Sequence, residues 1–222
     1  MQLSNKLLNT TINVSEIFYS LQGETTRTGF PSLFIRLAGC NLRCNWCDTD
    51  YARTGSPVTI AHIIQTIQAY PTSHHITITG GEPLLQEATF TLLQILSNLN
   101  HALQLETNGS ISIENVPSLV HTIVDVKTPS SGQQSSFNFD NIKFLKPRDE
   151  IKFVIADEKD YTYSKEFLQK YLAHAPCSIN FSPVFGVMEP HTLAEMILKD
   201  RLPVRLNIQL HKLLWHKEPK HF

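Results

Sequence analysis

Residues 33–47 read LFIRLAGCNLRCNWC, an apolar strand-like run followed by three cysteines. The run from Leu33 to Leu37 contains β-branched and aromatic side chains and stops at Ala38-Gly39, as a short buried strand does. The cysteines have the spacing CxxxCxxC and lie in the loop that follows this strand. In parallel α/β folds, ligand sites form at the carboxyl ends of the strands. The stretch therefore predicts both a strand of a parallel sheet and a binding site directly after it.

Outward from this stretch, strand-like runs alternate with helical patterns almost from end to end. The isoleucines of residues 60–67 follow the spacing of one helix face, and Thr59 is a candidate N-cap. Strands are predicted at residues 33–37, 75–79, 103–106, 123–126, 150–156, 179–184 and 204–210. These are too few for a closed eight-stranded barrel. The pattern predicts an α/β fold, a partial (open) (β/α) barrel of about six to seven mainly parallel strands, as a single domain over residues 1–222.

The composition and charge are typical of a globular protein of the cytoplasm. The chain is 41% hydrophobic, and 19 basic against 20 acidic side chains give a formal net charge of −1. That balance gives no reason to expect nucleic acid or an anionic membrane as a partner. No apolar run approaches the roughly 18 residues of a membrane span. Residues 1–11 lack the apolar core of a signal peptide, so a cytoplasmic location is expected.

Three cysteines crowded into one loop indicate ligands more than disulfides. Cys40, Cys44 and Cys47 are odd in number and close together, whereas disulfide frameworks are even in number and spread out. An iron–sulfur cluster can take three thiolates from one tight loop. A zinc site needs a second pair of ligands, and neither His74-His75 nor Cys177 has the usual spacing. Three ordinary buried thiols are the remaining interpretation, so the residues alone leave three alternatives open.

These motifs resemble a known family, the radical S-adenosylmethionine (SAM) enzymes, whose signature is CxxxCxxC. Gly80-Gly81-Glu82-Pro83 is similar to the GGEP motif with which that superfamily binds the amino group of the methionine moiety. Further elements resemble, within the superfamily, the 7-carboxy-7-deazaguanine synthase family. They are SLQGE at residues 20–24, FIRL at 34–37, WCDT at 46–49 and LETNG at 105–109. The resemblance extends from about Val14 to His211-Lys212.

The resemblance implies one 4Fe–4S cluster per subunit, SAM and Mg²⁺ as cofactors. Cys40, Cys44 and Cys47 would hold three irons of the cluster, and SAM would bind the fourth and be cleaved by one electron. The implied SAM contacts are Trp46, Cys47, Asp48, Gly81, Lys127, Thr128 and Pro129. The last three are positional assignments, because many family members have Ser-Pro-Lys at this place.

Several of these assignments have a purely structural alternative. Trp46 could flank adenine or pack in the core. Thr49 stands where the family carries a hydroxyl that coordinates Mg²⁺, although Asp48, Thr49 or Asp50 could instead cap a turn. Gly81 would let the backbone approach a ligand closely, or it could form a tight turn.

Arg36 is the charge that points to a substrate. It interrupts an apolar strand, where an unpaired guanidinium is costly to bury, so a protein carboxylate or an anionic ligand must meet it. Its place near the carboxyl end of the strand favours a ligand. The resemblance implies 6-carboxy-5,6,7,8-tetrahydropterin, whose carboxylate an arginine can bind in bidentate fashion. The implied substrate contacts are Leu21, Gln22, Gly23, Arg36, Thr79 and Phe222.

The implied activity is that of a carbon–nitrogen lyase of queuosine biosynthesis, which would form 7-carboxy-7-deazaguanine with loss of ammonia. The resemblance also implies a homodimer and an electron donor such as flavodoxin. A glycyl-radical-enzyme activase, which shares the cysteine spacing, is the first alternative, and a non-catalytic zinc-binding module is the second. Residues 129–141 are expected to form a long loop, and residues 204–222 are expected to cap the substrate.

Overall fold

The computed structural model describes residues 5–72, 74–99 and 101–215 and has nine strands and six α-helices in this part of the chain. The strands are β1 (Thr11–Leu21), β2 (Pro31–Leu37), β3 (Ser56–Thr59), β4 (His75–Gly80), β5 (Ala102–Thr107), β6 (His121–Val126), β7 (Glu150–Ile155), β8 (Ser178–Pro183) and β9 (Arg205–Leu206). The helices are α1 (Asn5–Leu8), α2 (Ile60–Gln68), α3 (Ala88–Leu96), α4 (Glu158–Tyr171), α5 (Pro190–Asp200) and α6 (Leu210–Trp215).

The described strands form one sheet in the order β3-β1-β2-β4-β5-β6-β7-β8-β9. From β2 to β9 every neighbouring pair is parallel, whereas β1 is antiparallel to both β2 and β3. Because β3 and β9 stand at opposite ends of this order, the sheet does not close. The predicted partial (open) (β/α) barrel of about six to seven mainly parallel strands is therefore confirmed, with seven strands in the parallel part.

Strand β1 was not predicted, although the sequence carries a signal for it. At its start Thr11 and Asn13 are exposed while Ile12 and Val14 are buried, which is the alternation of a half-buried strand. Its pairing with β2 places Glu16 opposite Arg36. The first strand thus adds an acidic side chain next to the charge that the sequence analysis singled out.

The C-terminal strand predicted at residues 204–210 is wrong in length. Only Arg205–Leu206 forms a strand, beside β8. The Asn207 side chain then accepts a hydrogen bond from the Thr25 backbone N–H at 2.8 Å and donates one to Ser182 Oγ at 2.8 Å. Contacts to the loop after β1 therefore replace further strand pairing, and the chain continues into α6.

One continuous apolar core joins the sheet to the helices, with fully buried side chains such as Ile35 of β2 and Leu92 of α3. Thr59 caps α2 as predicted, since its side chain accepts a hydrogen bond from the His62 N–H. The expected loop at residues 129–141 begins and ends in short 3₁₀ helices, Pro129–Ser131 and Phe139–Phe144. No helix of the described chain is long and apolar enough to cross a membrane.

The carboxyl ends of the parallel strands share one edge of the sheet, and this edge carries the unusual sequence motifs. The cysteine loop, residues 38–47 with its three cysteines between positions 40 and 47, follows β2. Residues 81–83 follow β4, and residues 108–109 follow β5. The topology therefore brings three motifs that are distant in sequence to one place.

Candidate active site

A cavity of about 860 Å³, here called the central cavity, opens at this edge of the sheet. That volume is typical of small-molecule sites, which measure about 300–1,000 Å³. The predicted site residues that line it are Leu21, Gln22, Gly23, Arg36, Cys40, Cys44, Trp46, Cys47, Asp48, Thr49, Thr79, Gly81 and Lys127. Thr128 and Pro129 are not among its lining residues. The structure therefore brings nearly all of the predicted site residues together.

The three thiols of the cysteine loop are free; Cys40 and Cys44 are half-buried and Cys47 is exposed. Burial raises the pKa of the Cys44 thiol, while the nearby ammonium group of Lys127 lowers it. Within the described residues, no three His, Cys, Asp or Glu side chains are arranged to hold a single metal ion. A zinc site needs its ligands about 2.0–2.3 Å from one ion, whereas each thiolate of a 4Fe–4S cluster can bind a different iron. Three free thiols on one loop can therefore each bind a different iron of such a cluster.

The cysteine loop rests on the backbone that follows β4. The Glu82 N–H donates to the Gly39 carbonyl at 2.8 Å, and the Gly81 N–H donates to the Leu37 carbonyl at 3.2 Å. A Cβ atom on Gly81 would lie 2.2 Å from the Gly39 carbonyl oxygen and 2.7 Å from the Cβ atom of Cys40. Gly81 thus permits a close approach, as predicted, but the group that approaches it here is the cysteine loop itself.

Glu82 ties the end of β4 to the end of β5. Its buried carboxylate accepts hydrogen bonds from Thr107 Oγ1 at 2.8 Å and from the Asn108 N–H at 2.6 Å. Burial raises the pKa of Glu82, and these hydrogen bonds act in the opposite direction. Asn108 in turn donates to the Asn41 side chain at 3.0 Å. The acidic residue of the GGEP motif therefore holds the backbone around the cysteine loop.

Trp46 and Lys127 meet at the cavity wall. The indole Nε1 donates to Ser130 Oγ at 2.9 Å, and Lys127 Nζ lies 5.6 Å from the centre of the indole ring. Lys127 also pairs with Asp125, with 2.9 Å between Nζ and Oδ2. Trp46 is half-buried and lines the cavity, so the structure places it at the site and outside the buried core.

Thr128 and Pro129 lie behind this wall. The buried Thr128 hydroxyl donates to the Val154 carbonyl at 2.8 Å, and Pro129 begins a 3₁₀ helix. The backbone N–H of Ser130, in that helix, donates to Asp160 at 2.8 Å. Of the three positional assignments, Lys127 alone lines the cavity, while the other two residues shape the turn that carries Ser130.

The Thr49 hydroxyl stands at the cavity wall, 3.8 Å from Cys47 Sγ. Thr49 precedes the 3₁₀ helix Asp50–Arg53, but its side chain makes no capping hydrogen bond there. Asp48 pairs with Lys212 at 2.7 Å, and Asp50 pairs with Arg53 at 2.5 Å. The structure therefore gives no support to the alternative in which the Thr49 side chain caps a turn or helix.

Gln22 and Thr79 are joined through Glu106 at the cavity floor. Gln22 Nε2 donates to Glu106 Oε1 at 3.1 Å, and Thr79 Oγ1 donates to Glu106 Oε2 at 3.1 Å. Gln104 Nε2 donates to Glu106 Oε1 as well, at 2.9 Å. This network fixes the side chains of Gln22 and Thr79, whose positions were assigned to the substrate.

Arg36 has a protein partner, which corrects the expectation that a ligand and not a protein carboxylate meets it. Its Nε donates to Glu16 Oε1 at 2.7 Å, because β1 places Glu16 opposite Arg36. Tyr51 donates to the same oxygen at 2.9 Å, and burial raises the pKa of Tyr51 to about 12. The bond to Glu16 does not use Nη1 or Nη2 of Arg36, and Arg36 lines the cavity.

Comparison with known proteins agrees with this geometry. The profile of the Radical SAM superfamily matches residues 34–184. A 7-carboxy-7-deazaguanine synthase of Chlorobaculum tepidum is 43% identical over 213 residues, covering 94% of this chain and 96% of that protein. One of Koribacter versatilis is 40% identical over 224 residues, covering 94% and 99%. This chain belongs to the 7-carboxy-7-deazaguanine synthase family.

The crystal structure of QueE from Escherichia coli has the same fold. It superposes with a TM-score of 0.75 at 24% sequence identity, covering 90% of this chain and 95% of that chain. Membership of the radical SAM superfamily implies a 4Fe–4S cluster and SAM. Three free thiols on one loop at the wall of a single cavity fit that cluster. The glycyl-radical-activase and zinc-module alternatives are set aside by this assignment to the synthase family.

The C-terminal segment of this family member reaches the cavity. His211, Lys212 and Trp215 line it, and the Leu210 N–H donates to the Gly23 carbonyl at 2.8 Å. A Cβ atom on Gly23 would lie 1.8 Å from His211 Nδ1, so the glycine leaves room for the histidine. The described part of the segment expected to cap the substrate, residues 204–215, thus reaches the cavity. Capping of a substrate stays a prediction, and Phe222 lies outside the described residues.

Sequence reasoning missed several charged residues of the cavity. Glu24, Glu106, Asp125 and Lys152 all line it. Lys152 and Asp125 interrupt apolar strands, which is the same signal that singled out Arg36. Glu24 and Glu106 lie inside quoted motifs, SLQGE and LETNG, but were given no role. A search for charged residues inside apolar strands would therefore have found two of these four residues, Lys152 and Asp125.

Gly81→Ala should loosen the cysteine loop, because the new methyl group meets rigid backbone. Overpacking of this kind costs about 1–3 kcal/mol, so we expect a lower unfolding temperature and less iron bound after cluster reconstitution. Gly29→Ala is the control, since a Cβ atom there meets nothing within 4 Å and only the φ of +91° adds strain. Wild-type iron content and stability in Gly81→Ala would contradict this account of the contact.

Proposed function

We propose that this chain converts 6-carboxy-5,6,7,8-tetrahydropterin to 7-carboxy-7-deazaguanine with loss of ammonia, a step of queuosine biosynthesis. One observation carries the proposal: three free thiols and Arg36 line the same cavity. Relatives that bear the name of this synthase at 43% and 40% identity support the choice of substrate.

Cys40, Cys44 and Cys47 would each bind one iron of the cluster. When bound, the cluster and SAM supply the radical chemistry that starts the reaction. Gly81, Trp46 and Asp48 border the space beside the cysteine loop, where SAM would lie. The chain itself positions both reactants in one enclosed space, which lowers the entropy cost of bringing them together.

Arg36 would hold the substrate carboxylate. Its Nη1 and Nη2 are not used by the bond to Glu16, and two parallel N–H donors match the two oxygens of a carboxylate. The pair with Glu16 fixes the guanidinium before the substrate arrives. Leu21, Gln22, Gly23 and Thr79 border the adjoining part of the cavity, where the pterin ring would lie.

Thr49 would supply one oxygen to Mg²⁺, together with oxygens of the substrate and water. Mg²⁺ prefers oxygen ligands and keeps several waters, so a single protein hydroxyl is sufficient. The support from the structure is that Thr49 lines the cavity and that its side chain caps no helix.

The proposal includes the partners that the family resemblance implies. They are an electron donor such as flavodoxin and a second copy of the chain in a homodimer. Nucleic acid is not expected to be a partner, because the formal net charge is −1. A cytoplasmic location fits the four free cysteines, since thiols stay reduced in that compartment.

Anaerobic turnover tests the proposal directly. The reconstituted wild type, given SAM, Mg²⁺, a reductant and 6-carboxytetrahydropterin, should form 7-carboxy-7-deazaguanine, detected by mass spectrometry. Cys40→Ala, Cys44→Ala and Cys47→Ala should each abolish turnover and sharply reduce bound iron. Cys177→Ala is the matched control and should do neither. Loss of iron in Cys177→Ala, or no product from the wild type, would overturn the assignment.

Arg36→Lys should weaken substrate binding, because one ammonium group cannot reproduce the planar fork of a guanidinium. A charge-assisted hydrogen bond contributes on the order of 1.5–3 kcal/mol, which is roughly ten- to a hundred-fold in KM. Iron content and SAM binding should be unchanged. An analogue without the carboxylate should bind both proteins equally weakly. Equal KM values of the wild type and Arg36→Lys for the carboxylated substrate would show that Arg36 only forms the ion pair with Glu16.

Thr49→Val keeps the shape of the side chain and removes the oxygen. We expect SAM cleavage to continue with a poor yield of product and an altered dependence on Mg²⁺, measured by titrating Mg²⁺ into chelated enzyme. Thr54→Val, just after the 3₁₀ helix that follows Thr49, is the control for loss of a nearby hydroxyl. An unchanged Mg²⁺ profile in Thr49→Val would leave Thr49 without a role in metal binding.

A further inference from the structure

A row of four alternating charges crosses the interior of the barrel beneath the proposed substrate. Lys127 Nζ lies 2.9 Å from Asp125 Oδ2, and Lys152 Nζ lies 3.7 Å from the same oxygen. Lys152 Nζ also lies 2.9 Å from Glu24 Oε2. All four side chains line the central cavity. The row starts beside Trp46 of the cysteine loop and ends in the SLQGE segment.

Lys152 is the member of this row that joins the two carboxylates. Its side chain is only 13% exposed, and those of Asp125 and Glu24 are 13% and 15% exposed. Asp125 Oδ1 is buried and has no hydrogen-bond partner among the described residues, so Asp125 depends on the two lysines at Oδ2. Without Lys152, the poorly hydrated carboxylates of Asp125 and Glu24 would be left with Lys127 as the one cation of the row.

Glu24 is held at a fixed position by contacts from two separate parts of the chain. Its Oε2 accepts from Lys152 of β7, and its Oε1 accepts from Gln209 Nε2 at 2.6 Å. A carboxylate in this state can only accept hydrogen bonds. Tetrahydropterins carry several N–H groups, which are the matching donors.

We propose that Lys152 is a positioning residue, which fixes the Glu24 carboxylate as the acceptor for N–H groups of the pterin ring. This role rests on the proposed function. Asp125 and Lys127 anchor Lys152 on its other side, so the position of Glu24 is tied to the wall that carries the cysteine loop.

The electrostatics of the row agree with this role. Burial raises the pKa of Glu24, but Lys152, Gln209 and His211 outweigh it and lower the value to about 2. The groups that face this pair are Asp125 on β6, Lys127 directly after β6, Glu106 on β5 and His211 on α6. Glu24 is therefore ionised above about pH 2 and loses its charge only below that value. Substrate binding by the wild type should not lose this acceptor at any ordinary pH.

Lys152→Met removes the cation and keeps most of the side-chain volume. Because the cation that lowers the pKa of Glu24 is gone, burial raises this pKa. Glu24 in the variant therefore becomes protonated at a higher pH than in the wild type. We expect the dissociation constant of 6-carboxytetrahydropterin, measured anaerobically by calorimetry, to rise roughly ten-fold or more at neutral pH. The increase should grow as the pH is lowered from about 8 to about 6.

Three comparisons separate positioning from a merely structural role. Lys152→Arg keeps the cation and should restore most of the affinity and the flat pH profile. Lys165→Met breaks a pair of similar length with Asp200, 2.7 Å between Nζ and Oδ2, outside the cavity, and should leave substrate binding unchanged. The double variant Glu24→Gln, Lys152→Met should bind no more weakly than Glu24→Gln, because Lys152 acts through Glu24.

The outcomes also distinguish this inference from the function on which it rests. Wild type that neither binds nor converts the pterin would contradict both. Active wild type combined with Lys152→Met of unchanged affinity and pH profile would overturn the role of Lys152 alone. If Lys152→Met alone does not fold, the test uses the double variant Glu24→Gln, Lys152→Met. Weaker substrate binding by this double variant than by Glu24→Gln would also overturn the role of Lys152.

Discussion

The backbone after β4 lies against the backbone of the cysteine loop, with 2.8 Å between the Glu82 nitrogen and the Gly39 carbonyl oxygen. No side chain fits between them, because a Cβ atom on Gly81 would come within 2.2 Å of that same oxygen. The Glu82 carboxylate extends the contact to the end of β5 through Thr107 and Asn108. Hydrogen bonds therefore join the three strand ends into one unit. This unit sets where the thiols stand relative to the rest of the cavity.

Charged side chains line the central cavity among apolar ones, and several of these charges are paired. Arg36 meets Glu16, Lys127 meets Asp125, and Lys152 meets both Asp125 and Glu24. A single buried charge would be costly, whereas paired charges with fixed hydrogen bonds can be retained in the interior. Such pairs contribute little net stability, so their value lies in holding donors and acceptors at set positions before a ligand binds. The apolar core between sheet and helices stabilises the fold, and the paired charges of the cavity prepare the site.

The sequence predicted features that depend on local pattern and missed those that depend on distant pairing. The seven parallel strands and the N-cap Thr59 follow from periodicity and capping chemistry, and both are confirmed. The partner of Arg36 did not follow, because Glu16 lies on a strand that was not predicted and meets Arg36 only through antiparallel register. The segment 204–210 alternates like a strand, yet Asn207 binds the loop after β1 and the strand ends. Lys152 broke an apolar run as visibly as Arg36, but its partner Glu24 is far away in sequence.

The central claim is that cofactor and substrate would bind side by side in the cavity that the cysteine loop and Arg36 both line. An anaerobic crystal structure of the reconstituted protein with SAM and 6-carboxytetrahydropterin tests this claim most directly. We predict a 4Fe–4S cluster on Cys40, Cys44 and Cys47, with the substrate carboxylate within hydrogen-bond distance of Arg36 Nη1 and Nη2. A pterin bound outside the central cavity, or a cluster held by a different set of ligands, would contradict it.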